Sequence, residues 1–100
     1  MILAEFKIRK KAAAFVILGH AGGEEGTDVV CAAVSSAAYL AANTVTEILQ
    51  TKANATVSGG YLQFSCSGSK AAADVIRGLR LHLEQLEKDH PAKIKVITEE

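Results

Sequence analysis

One hundred residues suit one small domain, and a hydrophobic share of 49% supplies a core, although so short a chain buries only a modest fraction of its surface. Eleven basic side chains balance eleven acidic ones, which argues against a nucleic-acid partner held by excess positive charge. One proline, glycines clustered at apparent turns rather than spread throughout, and two cysteines exclude a disordered chain and a disulfide framework.

From Met1 to Lys10 the sequence alternates, with Ile2, Ala4, Phe6 and Ile8 on one side and Glu5, Lys7 and Arg9 on the other, the pattern of a half-buried strand. The same charges interrupt the opening apolar positions, so no secretory signal is expected. Lys7, Arg9, Lys10 and Lys11 read as a solvated strand end and turn. The run from Ala12 to Gly19, AAAFVILG, carries the β-favouring Phe15, Val16 and Ile17, and pairs with the first strand as a hairpin.

His20 follows at the strand's end, where a side chain tends to reach a cleft. Gly22, Gly23 and Gly26 then make a permissive, acidic loop. Thr27 or Asp28 is expected to cap the next helix, beginning at Val29. With Asp28 as N-cap, Cys31 becomes the third helical residue, next to free N–H donors and the positive end of the helix. A cysteine thiol that ordinarily titrates near ~8.5 can fall to ~3.5–7.5 at a helix N-terminus or beside an imidazolium. Folded over that turn, His20 would serve Cys31 as base, and the same N–H groups would stabilise an oxyanion. Blander readings stand beside these: a packed helical cysteine, a surface histidine, and an Asp28 that only caps. A phosphate loop is excluded because Gly22 to Asp28 lacks the lysine and the hydroxyl residue that follows it in that motif, and carries Glu24, Glu25 and Asp28. Zinc would need four ligands, and His20 with Cys31 supplies two, with Cys66 a weak third. Neither metal nor other cofactor is therefore expected.

The segment from Val29 to about Thr51 is apolar around most of its circumference. Its charge-free part, Val29 to Thr46, contains Ser35, Ser36, Asn43, Thr44 and Thr46, so a buried central helix is expected rather than a membrane span. Ser35 shares a face with Cys31, either assisting it or bonding a carbonyl one turn back. Ala55 to Ser58 and Tyr61 to Cys66 flank Gly59-Gly60 as a second hairpin. Leu62, Phe64 and Cys66 share a face there, which makes Cys66 a buried, inert residue. Tyr61 has no neighbour in sequence to support a catalytic role.

Ser67 to Ser69 supplies cap residues for a helix from Lys70 to about Asp89, with a stripe of Ala72, Val75, Ile76, Leu79, Leu83 and Leu86. Arg80, Glu84 and Lys88 are spaced for exposed charge pairs, His82 and His90 read as surface residues, and Pro91 ends the helix. Ile94, Val96 and Thr98 make a last strand. The order β-β-α-β-β-α-β predicts an α+β fold, a mostly antiparallel sheet with two helices, in one domain over 1–100.

The stretch Gly19 to Ser35, GHAGGEEGTDVVCAAVS, resembles the signature of the ribosomal-processing cysteine protease family Prp, with its GHA-type histidine motif, variable glycine loop and D-[IV]-V-C-A-A-V-S block. The resemblance implies a catalytic dyad of Cys31 and His20, with Asp28 and Ser35 as flanking motif positions. It implies a loop bearing Gly22, Gly23 and Gly26 that reshapes to admit substrate. The implied substrate is the precursor of large-subunit ribosomal protein twenty-seven, whose N-terminal extension is removed, and the implied assembly is a homodimer. A cytoplasmic setting is expected, without membrane or direct nucleic-acid contact. The competing function is a non-catalytic ribosome-assembly or regulatory module on the same fold.

Overall fold

The computed structural model describes residues 1–19 and 25–99, with the backbone alone over 25–28. The alternating first segment and the apolar second one form strands β1 (Ile2–Ile8) and β2 (Ala12–Leu18), paired antiparallel with Phe6 opposite Phe15. Helix α1 (Glu25–Asn43) runs into a π-helical turn, Thr44–Ile48. Strands β3 (Ala53–Ser58) and β4 (Tyr61–Ser67) form the second hairpin around Gly59 and Gly60. Helix α2 (Lys70–Asp89) and strand β5 (Ile94–Glu99) complete the order predicted from the sequence.

The five strands lie in the order β3-β4-β2-β1-β5, antiparallel except that β5 runs parallel to β1. One face of the sheet carries the core. A row of aromatic side chains crosses it: Phe6 and Phe15 have centroids 5.7 Å apart, and Phe15 and Phe64 stack at 5.4 Å. All three are fully buried, and a phenylalanine so placed contributes roughly 1.5–3 kcal/mol through apolar burial. Ala72, Ala73, Ile76, Leu79 and Leu83, the stripe of α2, close over this face. The Ser69 hydroxyl caps α2 by accepting the Ala72 N–H at 3.0 Å, and the His90 N–H donates to the Leu86 carbonyl at the other end.

Several expectations need correction. α1 starts at Glu25, so Gly26, Thr27 and Asp28 are helical and neither Thr27 nor Asp28 is the N-cap. Acidic residue types such as Glu25 and Asp28 suit the positive end of a helix, which favours the earlier start. The helical course also stops short of Thr51. Thr44 and Thr46 return their hydroxyls to the carbonyls of Leu40 and Ala42, and Leu49 N–H reaches back five residues to Thr44. Such back-bonding loosens and bends a helix, and Gln50, at φ 52°, turns the chain out of it.

Nor is α1 the buried central helix. α2 spans β1, β2, β4 and β5, whereas α1 packs chiefly on α2 and buries one stripe, Val30, Val34, Ala38, Ala41 and Val45. Leu40 and Ile48 stand 70% and 75% exposed. By length and composition alone Val29–Ile48 could cross a membrane, and its fully buried share here is small. On α2 the short, exposed pairs are Lys70–Asp74 at 2.7 Å and Arg77–Asp74 at 2.6 Å; Arg80 and Glu84 stand 3.9 Å apart.

Candidate active site

Cys31 is the seventh residue of α1, in its second turn, rather than the third. The N–H groups of the first turn that lack a helical partner, at residues 25–27, lie about 6–9 Å back along the axis. The helix-end field falls off within that turn, so it acts at a distance from Cys31 instead of in its own turn. The oxyanion donors expected from the helix end are displaced by the same amount.

What the fold does bring to Cys31 is a cleft of about 190 Å³. One wall is the face of α1 that presents Cys31, Ser35 and Tyr39, spaced four residues apart. The opposite wall is the β3–β4 turn with Ser58, Gly60 and Tyr61, and Gly19 at the end of β2 lies beside it. Cys31 is half-buried and packs against the core, while Ser35 is exposed. Among the described residues no charged side chain lines this cleft. Its described lining combines apolar side chains with the hydroxyls of Ser35, Tyr39, Ser58 and Tyr61.

Gly19 holds the rim by two constraints. Its φ is +85°, and a Cβ there would lie 2.7 Å from the Met1 carbonyl oxygen. Its N–H donates to the Gly60 carbonyl at 2.8 Å, tying the end of β2 to the turn between β3 and β4. The next residue in the chain is His20, which lies outside the described residues, as do Gly22 and Gly23. Gly26 and Asp28 are placed on α1 by backbone only.

Cys66 is correctly expected to be buried. It sits at the far end of β4, five residues or about 17 Å of strand from Tyr61. Burial pushes its thiol above the ordinary value, and a hydrogen bond with the Ala13 backbone offsets that in part. Tyr61, unsupported in sequence, has Cys31 for a neighbour across the cleft. Tyr39 was missed altogether, although its position eight residues after Cys31 carries the helical spacing that reveals it. Among the described residues no cluster of three or more His, Cys, Asp or Glu side chains is arranged for a metal.

Residues 1–95 match the family model described as cysteine protease Prp. An essential ribosomal processing protease Prp from S. aureus, solved with a covalently linked product peptide, superposes with a TM-score of 0.88 at 20% identity, covering 99% of this chain and 100% of that one. The same protease with a substrate peptide gives 0.82 at 18% identity, with the same two coverages. SMU.848 from Streptococcus mutans gives 0.79 at 24% identity, covering 99% of each chain. At these identities the superpositions speak for the fold. No curated protein sequence matches the chain. The match to the family model over all but the last five residues carries the assignment: this chain belongs to the cysteine protease Prp family.

Proposed function

We propose that Cys31 is the nucleophile and His20 the general base of a protease that removes the N-terminal extension of large-subunit ribosomal protein twenty-seven. The observation that carries this reading is the position of Cys31 in the wall of a cleft whose rim includes Gly19, the residue before His20. The thiol proton passes to the imidazole as sulfur bonds to the scissile carbonyl carbon. The tetrahedral oxyanion then collapses, the C–N bond breaks, and the leaving amine takes the proton from the imidazolium. Water hydrolyses the resulting thioester, with His20 again holding the proton, and regenerates the thiol.

The ribosomal substrate is supported by the residue motif and by the S. aureus relative, a ribosomal processing protease solved with a substrate peptide. Membership in a cysteine protease family favours catalysis over a purely binding module. Ser35, on the cleft face of α1, is assigned an assisting role, and Asp28 the orientation of His20. Gly22, Gly23 and Gly26 are assigned the admission of substrate, and Gly22→Pro should lower kcat/KM. The working form is a cytoplasmic homodimer, a reading supported by exposed Leu40 and Ile48 and by the apolar groove between α1 and α2.

The test uses purified precursor and mass spectrometry of the released peptide. Cys31→Ala should abolish release with the fold and substrate binding retained. His20→Ala should lose two or more orders of magnitude, since general base catalysis supplies ~10²–10⁴. Undiminished cleavage by Cys31→Ala would sink the assignment.

A further inference from the structure

The sheet has two edges, and they are finished differently. At one edge, the Val96 N–H of β5 points outward and is taken by the Glu87 carboxylate from α2 at 3.0 Å. Lys95 and Glu99 add charge to that strand. Such guards keep an open edge from recruiting another strand. At the other edge, β3 reads ANATVS, with neither charge nor proline. Among the described residues no side-chain hydrogen bond reaches its backbone.

The groups left open on β3 follow from one bond. Gly19 N–H donates to the Gly60 carbonyl, so the two-residue alternation of the antiparallel ladder turns the backbone groups of Leu62, Phe64 and Cys66 toward β2. Tyr61, Gln63 and Ser65 therefore bond β3 through their partners Ser58, Thr56 and Asn54. Ala53, Ala55 and Val57 are left with N–H and C=O facing outward. Their side chains lie on the helix side of the sheet, yet that floor is uncovered here: Val57 is 57% exposed, whereas Phe64, one strand inward, is 1% exposed. This open rail leads into the cleft, because Val57 and Ser58 line it together with Cys31.

We propose that the edge of β3 docks the main chain of the substrate. An extended peptide pairs with the outward N–H and C=O groups of Ala55 and Val57, adds a sixth strand to the sheet, and enters the Cys31 cleft at Val57. The proposal rests on the assignment of that cleft as the place of cleavage. Recognition by backbone pairing makes peptide binding sensitive at every second residue, because successive peptide N–H groups point toward β3 and away from it.

The probe is a synthetic peptide spanning the extension and cleavage region of the ribosomal precursor, bound to the Cys31→Ala protein. On binding, the Ala55 and Val57 amides should gain ~10-fold or more in hydrogen-exchange protection, on the scale of one net backbone hydrogen bond. Single N-methylation along the peptide should weaken binding at alternate positions within a run of about five residues. Ala55→Pro and Val57→Pro remove an outward donor that the hairpin does not use, so an edge strand should tolerate them, with kcat/KM falling ~10-fold. Should either variant unfold, the exchange and methylation arms still decide. Unchanged exchange at both amides, or losses without alternation, while the wild-type protein cleaves the peptide, overturns the docking edge and leaves the protease assignment standing. Protection that needs no peptide and grows with protein concentration shows a second copy on this edge and overturns it too. Failure of the wild-type protein to cleave the peptide overturns the substrate assignment and the docking edge with it.

Discussion

The Gly19 N–H lies 2.8 Å from the Gly60 carbonyl oxygen, and this bond joins the last described residue before His20 to the turn that faces Cys31. Both glycines stand on the sheet side of the cleft, each at positive φ, 85° for Gly19 and 71° for Gly60. The relationship makes the rim a test of the site that touches neither proposed catalytic side chain.

Gly19→Ala should cost about 1–3 kcal/mol, because the positive φ is strained for an L side chain and the new Cβ meets the Met1 carbonyl at 2.7 Å. Cleavage should fall further than the loss of folded protein accounts for, since the shift occurs beside His20. Urea midpoints and kcat/KM measured on the same samples separate the two effects.

The two cysteines should behave oppositely toward iodoacetamide. Cys31 lies half-buried in an open cleft, whereas Cys66 is buried with its thiol pushed up. Near neutral pH, peptide mapping should find alkylation at Cys31 well before Cys66. Cys66→Ala should cost about 1 kcal/mol of packing and keep cleavage near the wild-type rate.

Cys66 should also impose an alkaline limit on stability. Its folded pKa is raised, so the native state holds the proton where the unfolded chain, titrating near ~8.5, has released it. Stability from this group is therefore intact below that value and declines as pH rises through the window between the unfolded and the folded pKa. Urea midpoints taken from pH 7 to 10 should fall less steeply in Cys66→Ala than in the wild-type protein.

Glu87→Ala should cost about 1–3 kcal/mol, the range for a hydrogen bond to a charged group in a part-buried setting. It should also open the β5 edge, so aggregation on heating should rise, as light scattering during a melt would record. Glu87→Gln keeps an acceptor for the Val96 N–H and should recover part of both.

Leu40→Glu tests the assembly. Leu40 is 70% exposed and lines the groove between α1 and α2. In the proposed dimer a charge there should shift the species toward monomer by light scattering at micromolar concentration, with little change in the far-ultraviolet dichroism.

Much of this molecule was legible along the chain because its signals are local. Alternation in Met1–Lys10, the doublet Gly59-Gly60, the stripe of α2 and the Ser69 cap each act within a few residues, and each appears where it was expected. The family motif is local too, and it marks Cys31 by sequence alone. What tertiary structure decided is where distant segments meet. Parallel pairing of β5 with β1, the sheet order, and the choice of α2 over the more apolar α1 as the helix across the sheet arise from contacts far apart in sequence. α1 is apolar nearly all round, so its periodicity could not say which side is buried; packing on α2 selected Val30, Val34, Ala38, Ala41 and Val45 and left Leu40 in the open. Its start at Glu25 moved Cys31 out of the first turn, a shift that local cap residues at Thr27 and Asp28 concealed. The gathering of Tyr61 and Cys31 around one cleft, and the unguarded edge of β3 leading into it, exist only because the fold sets the β3–β4 turn beside α1.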